Sequence, residues 1–521
     1  MPEPSIWTID LEDETATLAL ARDVAGAVRG GDLVTLSGDL GAGKTAFARG
    51  LIRTLADDPA LEVPSPTFTL MQIYETDRFP VVHADLYRLR GADELAELGW
   101  DEAAQDALVV VEWPERAGVD RAPDRLDISL HLDPQARETR RIAVLAGHGS
   151  WRKRLEIVRG IHLLLDGAGW RDARRTHLIG DASSRAYERL VRDGESTILM
   201  ISPKRPDGPP VRAGKPYSHY AKLAETVRPF VAMADALREA GFSAPRTLAH
   251  DMETGLLLLE DFGAETVLVD GRPDEERYLE SVRVLARIHS ESRPGILPLP
   301  DGGAHAIPPY DLEAYLIEAE LLIDWYAPHV AHATLPAIAR AEFVKAWSEA
   351  LAPISEASPT WTLRDYHSPN LMWLPEREGT ARVGLLDFQD ALMGHPAYDV
   401  VSLAQDARVD VAEDLELRLV GAYVRARRQA NPTFDVVPFT NAYALLGAQR
   451  ATKILGIFAR LDRRDHKPHY LRHIPRIERA LRRNLGHPAA TEVRAWYEAW
   501  LPGLAPSWTG DPPSGAGDED A

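Results

Sequence analysis

The 521-residue chain contains no cysteine, which excludes disulfides, thiolate metal sites and cysteine nucleophiles and suits a reducing compartment. It has no apolar run near the length that spans a bilayer; Leu256 to Leu259 reads as a short strand. The N-terminus, Met1-Pro2-Glu3-Pro4-Ser5, lacks the basic start and apolar core of a secretory signal. Positive charge is also short. The 59 Lys and Arg stand against 79 Asp and Glu, and the formal net charge of −20 argues against broad, sequence-blind binding to nucleic acid. No internal repeat is visible. These absences predict a cytoplasmic protein with no membrane segment. What is present is 45% hydrophobic and 26% charged residues, a globular balance, at a length that predicts two or three domains.

Gly38-Asp39-Leu40-Gly41-Ala42-Gly43-Lys44-Thr45 fits the phosphate-binding pattern G-x-x-x-x-G-K-[ST] without a mismatch. Leu33 to Leu36 reads as a buried strand before it and Ala46 to Leu55 as a helix after it. That context predicts backbone N–H groups of Gly38, Gly41, Ala42 and Gly43 around the phosphates of ATP, Lys44 beside the β- and γ-oxygens, and the Thr45 hydroxyl on Mg²⁺. Such a site needs carboxylates from the ends of neighbouring strands. Asp85 closes the run from Val81, and Glu112 closes the run Leu108 to Val111. Either could bind magnesium while the other orients the attacking water, so both are expected to be catalytic and Glu112 also a metal ligand.

These blocks carry a resemblance. GDLGAGKT, then Pro64-Ser65-Pro66-Thr67-Phe68-Thr69-Leu70, then His83-Ala84-Asp85-Leu86-Tyr87-Arg88-Leu89, then Val111-Glu112-Trp113-Pro114 resemble the TsaE family in order and spacing. Members of that family are the small ATPase subunit of the bacterial machinery that makes threonylcarbamoyladenosine at tRNA position 37. The resemblance covers residues 1–148. It implies ATP hydrolysis coupled to the other subunits of that machinery, with no direct sequence-specific contact to nucleic acid. It also implies a switch-like loop holding Ser65 and Thr67, and a Trp113 placed to stack near the nucleotide.

Strands at Leu33–Leu36, Phe68–Tyr74, Val81–Leu86 and Ala107–Trp113, with hairpin-like runs at Leu126–Leu132 and Arg141–Leu145, predict a mainly parallel sheet over residues 1–148. A small-residue break leads into a linker at 149–154 and a helix carrying Leu155, Val158, Ile161 and Leu165. A small β-rich lobe follows, with strands at Tyr187–Arg192, Thr197–Ile201 and Gly255–Gly263. The period then turns helical at Tyr278, Val282, Leu285 and His289. The whole is expected to be α/β: a P-loop NTPase domain, then a bilobal α+β domain over 155–505, then a disordered acidic tail at 506–521.

Arg364-Asp365-Tyr366-His367-Ser368-Pro369-Asn370 and Asp387-Phe388-Gln389-Asp390 spell a kinase catalytic loop and metal aspartate. Asp365 is expected to be the base for an acceptor hydroxyl, with Asn370 and Asp387 as magnesium ligands. Upstream, Gly180 to Tyr187 could fold over the phosphates through Ser183 and Arg185, and Glu260 sits where a hinge would offer backbone groups to adenine. Asp399 reads as a partner holding the catalytic loop.

GDASSRAY, LLLEDFG, RDYHSPNLMWL, LLDFQD and GHPAYDVVSLAQD resemble the aminoglycoside phosphotransferase family, which has a protein-kinase-like fold. They are most similar to its bacterial cell-wall sugar kinase branch, which implies phosphorylation of the anomeric hydroxyl of N-acetylmuramate and N-acetylglucosamine. Two positions depart from the family. Leu363 stands where many relatives carry a loop-bracing His, and Met200 occupies the strand position of the phosphate-binding Lys, leaving Lys204, Arg185 or Arg192 as substitutes. Between Arg450 and Arg483 eleven Lys or Arg face three acidic residues, which suits a neutral or carboxylate-bearing sugar better than a polycationic aminoglycoside. Another acceptor, or a nucleotide-sensing domain without kinase activity, is the alternative reading.

Overall fold

The computed structural model describes residues 3–91, 94–95, 99–133, 140–178, 185–204, 208–357 and 359–506. The chain divides into two compact units, Met1–Lys204 with Thr247–Asp261, and Arg205–Arg246 with Phe262–Ala521. Ser183 and the expected tail from residue 507 onward lie outside the described residues.

The first unit holds two sheets. Strands β1 (Ser5–Leu11), β2 (Leu33–Ser37), β3 (Met71–Tyr74), β4 (Val81–Asp85), β5 (Leu108–Glu112), β6 (Arg125–Leu132) and β7 (Arg141–His148) form a seven-stranded sheet in the order β1-β7-β6-β2-β5-β4-β3. The four central strands β6, β2, β5 and β4 are mutually parallel, and β7, β1 and β3 join antiparallel at the edges. The sequence explains which strands are central. β5 reads Leu-Val-Val-Val-Glu and is buried at every residue, as a strand covered on both faces must be, whereas β1 alternates in exposure. The expected strand at Phe68 starts instead at Met71, because Leu70 takes a left-handed φ of 61° and its N–H closes a turn onto the Pro66 carbonyl at 2.6 Å.

Helix α1 (Glu14–Ala25) is capped by Asp13, whose side chain accepts from the Ala16 N–H at 2.8 Å. α2 (Lys44–Leu55) starts at the P-loop and buries Phe47, Leu51 and Ile52 in the core with Val34, Val110 and Ile128. α3 (Trp151–Gly167) begins inside the 149–154 segment and serves two cores. Trp151, Leu155 and Val158 join the core of the first sheet, while Ile161 and Leu165 pack with Trp170, Leu190, Leu199 and Leu258 under the second. That second sheet is antiparallel, built from β8 (Arg174–Leu178), β9 (Ala186–Arg192), β10 (Glu195–Ile201), β11 (Thr247–Asp251) and β12 (Leu256–Glu260) in the order β11-β12-β10-β9-β8. A buried charge cluster ties the elements together. Arg175 on β8 donates to Asp23 on α1 and to Glu188 on β9, each at 2.6 Å, and His162 on α3 lies 3.0 Å from the other Asp23 oxygen.

The second unit is mainly helical. Its helices include α4 (Glu275–Ser290), α5 (Leu312–Ala319), α6 (Ala397–Ala404), α7 (Glu413–Ala430), α8 (Val436–Arg463) and α9 (Ile474–Leu485). Asp274, Asp311 and Asp435 cap α4, α5 and α8 by accepting backbone N–H groups of the first turn. Tyr278, Val282, Leu285 and His289 are all buried, as their helical spacing predicts. Two short antiparallel strand pairs, Leu371–Trp373 with Val383–Leu385 and Thr360–Thr362 with Leu392–Gly394, flank the catalytic-loop sequence. No helix among the described residues is long and apolar enough to cross a membrane.

Candidate active sites

The P-loop joins β2 to α2, so its amides gather at a helix N-terminus. Gly38, Gly41 and Gly43 have φ of 128°, 80° and 106°. Gly38 is also forced by space, since a Cβ there would lie 2.1 Å from the Leu130 carbonyl oxygen. Lys44 is buried, with Nζ donating to the Gly38 and Asp39 carbonyls at 2.7 and 2.9 Å and lying 3.9 Å over the Trp113 ring. Burial lowers its pKa, opposed by the Glu112 and Asp85 carboxylates. Trp113 itself takes a left-handed φ of 59° directly after β5, which turns its ring toward Lys44 and Tyr87. Arg141 reaches the same loop from β7, donating through Nε to the Ala42 carbonyl at 3.1 Å.

Parallel pairing places Asp85 directly beside Glu112 at the strand ends. Their environments differ. Glu112 accepts from the Thr45 hydroxyl at 3.0 Å through one oxygen, while its other oxygen is 3.0 Å from His83 Nε2. His83 falls two residues before Asp85, hence on the same face of β4, and is fully buried. Asp85 instead accepts the Ser65 and Thr67 hydroxyls on one oxygen, both at 2.7 Å, and the Tyr87 N–H on the other at 3.0 Å. The structure therefore splits the two carboxylates: Glu112 faces the P-loop hydroxyl, and Asp85 anchors the Ser65–Thr67 segment. Glycines at positive φ, clustered amides, a buried Lys and a Thr–Glu pair fit a polyphosphate with a divalent cation.

In the second unit, Asn370 Nδ2 donates to the Asp365 carbonyl at 2.9 Å and lies 3.5 Å from Asp387 Oδ2, so the three expected residues converge. Gln389 holds the other Asp387 oxygen at 2.8 Å, and Asp387 follows its strand at a φ of 56°. Burial raises the Asp365 carboxyl, but the neighbouring His367 imidazole and the positive charges of Lys453, Arg364 and Arg450 outweigh it and hold the group below the usual carboxylate range. An ionised Asp365 is the form that accepts a proton.

The loop is braced without the missing histidine. Asp399, fully buried at the start of α6, accepts the Leu363 and Arg364 N–H groups at 2.6 and 2.9 Å. Asp406 accepts both the N–H and the hydroxyl of Ser368, at 2.9 and 2.7 Å. Arg364 pairs with buried Glu318 on α5, which also accepts from Lys453 at 2.8 Å, Tyr310 at 2.6 Å and Gln449 at 3.2 Å. Sequence reading found Asp399 but missed Asp406 and the Glu318 hub, whose partners are far apart in the chain.

Of the remaining expected site residues, Arg185 and Glu260 belong to the first unit, immediately before β9 and at the end of β12. Met200 is buried in β10 at 1% exposure, paired across to Tyr187 and Leu257, so a long side chain there packs in the sheet. Arg192 lies 5.1 Å over the Trp170 ring.

Comparison with known proteins agrees in two separate stretches. The profile of the threonylcarbamoyl adenosine biosynthesis protein TsaE matches residues 11–142, and that of the phosphotransferase enzyme family, APH, matches residues 175–435. An N-acetylmuramate/N-acetylglucosamine kinase of Caulobacter vibrioides is 39% identical over 350 residues, which is 65% of this chain and 95% of that one. A kinase of the same name from Pseudomonas aeruginosa is 33% identical over 60% of this chain and 85% of its own. The tRNA threonylcarbamoyladenosine biosynthesis protein TsaE of Rickettsia felis is 38% identical over 23% of this chain and 71% of its own. The chain thus belongs to the TsaE family in its first part and to the APH phosphotransferase family in its second, an ATPase and a kinase in one polypeptide.

Proposed function

We propose that the protein is bifunctional. Residues 1–148 form a Mg²⁺-dependent ATPase that supports threonylcarbamoyladenosine formation at tRNA position 37 through the other subunits of that machinery in the cytoplasm. Residues 155–505 form an ATP-dependent kinase that phosphorylates the anomeric hydroxyl of N-acetylmuramate and N-acetylglucosamine. The convergence of Asp365, Asn370 and Asp387, in a chain that aligns with nearly the full length of a kinase named for those sugars, carries the second assignment.

In the first site Lys44 and the loop amides would hold the phosphates, and Thr45 with Glu112 the cation. Asp85, through Ser65 and Thr67, would position the segment that senses the nucleotide. Bound ATP and Mg²⁺ supply the transferable phosphoryl group and neutralise its charge. In the second site Asp365 would take the proton of the acceptor hydroxyl as that oxygen bonds to the γ-phosphorus of ATP and the bond from that phosphorus to the ADP oxygen breaks, releasing ADP; Asn370 and Asp387 would hold the metal, and Asp399 fixes the loop.

The test is ³¹P NMR of the full chain with Mg·ATP and, separately, N-acetylmuramate, N-acetylglucosamine, a plain hexose and kanamycin. A sugar 1-phosphate signal from the first two that is absent in Asp365→Ala supports the kinase reading. No phosphorylated product from any acceptor, with nucleotide still bound by the Lys44→Ala chain, would replace it with a nucleotide-sensing role. For the first site, Lys44→Ala is expected to remove ATP hydrolysis stimulated by the partner subunits while leaving sugar phosphorylation intact.

A further inference from the structure

Helix α8 brings to the second site a cation whose charge Asp365 feels but to which no ligand is assigned above. Arg450 and Lys453 lie one turn apart on one side of α8. Lys453 is fully engaged, with Nζ 2.8 Å from Glu318 and 3.2 Å from the Tyr398 hydroxyl. Glu318 in turn holds Arg364, the neighbour of Asp365. Arg450 has no such partner. It is only 5% exposed, yet it makes no hydrogen bond or ion pair among the described residues. It shares a face of α8 with Lys453, whose partner Glu318 holds Arg364 of the catalytic loop, and its charge acts to lower the Asp365 and Asp399 carboxyls.

The rest of the basic run is accounted for differently. Arg464, Arg476, Arg482 and Arg483 each pair with a carboxylate, respectively Asp465, Asp410, Glu478 and Glu416. Most of the excess of positive charge read from the sequence therefore resolves into surface and core ion pairs; among the described residues Arg450, Arg460, Lys467 and Arg472 pair with no carboxylate, Arg460 lies over the Tyr217 ring, and of these four Arg450 alone is buried. A buried guanidinium with no anion is costly to keep, so its retention here calls for an anionic ligand group.

We infer that Arg450 is the anion contact of the acceptor site and binds the carboxylate of an acidic amino sugar, the lactyl group of N-acetylmuramate. N-acetylglucosamine, lacking that group, leaves Arg450 to water. The inference rests on the sugar-kinase reading proposed above. The transferred phosphoryl group is the other anion that could meet Arg450, and it is common to all acceptors, so comparing two sugars separates the sources.

The experiment measures acceptor-dependent kinetics of the full chain with each sugar. Arg450→Met is expected to raise KM for N-acetylmuramate by about tenfold or more, the low end of what a hydrogen bond to a charged group contributes. KM for N-acetylglucosamine stays within about twofold on the same reasoning, any fall in kcat from removing a charge that keeps Asp365 ionised is shared by both sugars, and Arg450→Lys restores part of the KM loss. In the unaltered protein, converting the N-acetylmuramate carboxylate to its carboxamide should raise KM comparably, a result independent of any variant's folding. Equal rises in KM for both sugars, or a carboxamide as good a substrate as the acid, would overturn the inference alone. Failure of the unaltered protein to phosphorylate either sugar would overturn the reading beneath it.

Discussion

Replacing Arg175 by methionine keeps most of the side-chain volume and removes the charge that neutralises two buried carboxylates. Arg175 is 2% exposed, Asp23 4% and Glu188 7% as side chains. Both ion pairs are 2.6 Å long, and little water-facing surface is available to solvate either acid once the cation is gone. Breaking a buried pair by removing one partner costs about 3–5 kcal/mol, because the penalty is the stranded charge and not the lost attraction. For a unit of roughly 200 residues each kcal/mol lowers Tm by about 2–4 °C, so the expected drop is about 6–20 °C. The control is Arg140→Met. Arg140 pairs with Asp10 at 2.9 Å, but the two side chains are 44% and 59% exposed, and solvent screening leaves that bond under about 1 kcal/mol. Thermal unfolding of both variants, with hydrogen exchange read on peptides spanning 151–178, would assign the transition to the region around α3 and β8. Adding Asp23→Asn to Arg175→Met should recover part of the loss, since one of the two stranded charges disappears. Equal shifts for Arg175→Met and Arg140→Met would refute the argument that this cluster joins the two sheets.

Three further outcomes follow from the same structure. Gly38→Ala should abolish binding of a fluorescent ATP analogue to the first site, because its Cβ meets the Leu130 carbonyl at 2.1 Å, whereas Gly41→Ala meets nothing within 4 Å and costs only about 1–2 kcal/mol of left-handed strain. Asp399→Ala leaves the Leu363 and Arg364 N–H groups without an acceptor, at about 1–3 kcal/mol each, and should lower kcat for sugar phosphorylation while sparing ATP hydrolysis in the first domain. Burial, helped by the Arg427 charge, pushes His395 down to about 4. The unfolded chain, with the ordinary value of 6.5, takes up a proton that the native state refuses. His395 stability is therefore fully present above pH 6.5 and is lost as pH falls toward 4. An NMR titration showing its imidazole protonating near 6.5 in the folded protein would contradict this.

How much of this was legible in the sequence depends on whether the signal was local. The P-loop, the Asp85 and Glu112 strand ends and the Asp365–Asn370 loop were readable because each is a short motif attached to an apolar run, and parallel pairing then brings the ends together. β8 was not readable. Its sequence, Arg-Arg-Thr-His-Leu, has no apolar alternation, because its most buried position is Arg175 itself, made tolerable by carboxylates 152 and 13 residues away. β11, Thr-Leu-Ala-His-Asp, is hidden in the same way at a sheet edge, where no residue is fully buried. The 149–154 segment looked like a break for a related reason. Gly149 and Ser150 do mark a turn, yet Trp151 starts a helix whose two apolar stretches satisfy different cores, which a single helical period cannot reveal. Hydrophobic pattern reports that a face is buried, not which partner buries it. Where the partner is an ion pair or a second core, the sequence shows charge or a turn, and the tertiary structure alone supplies the reason.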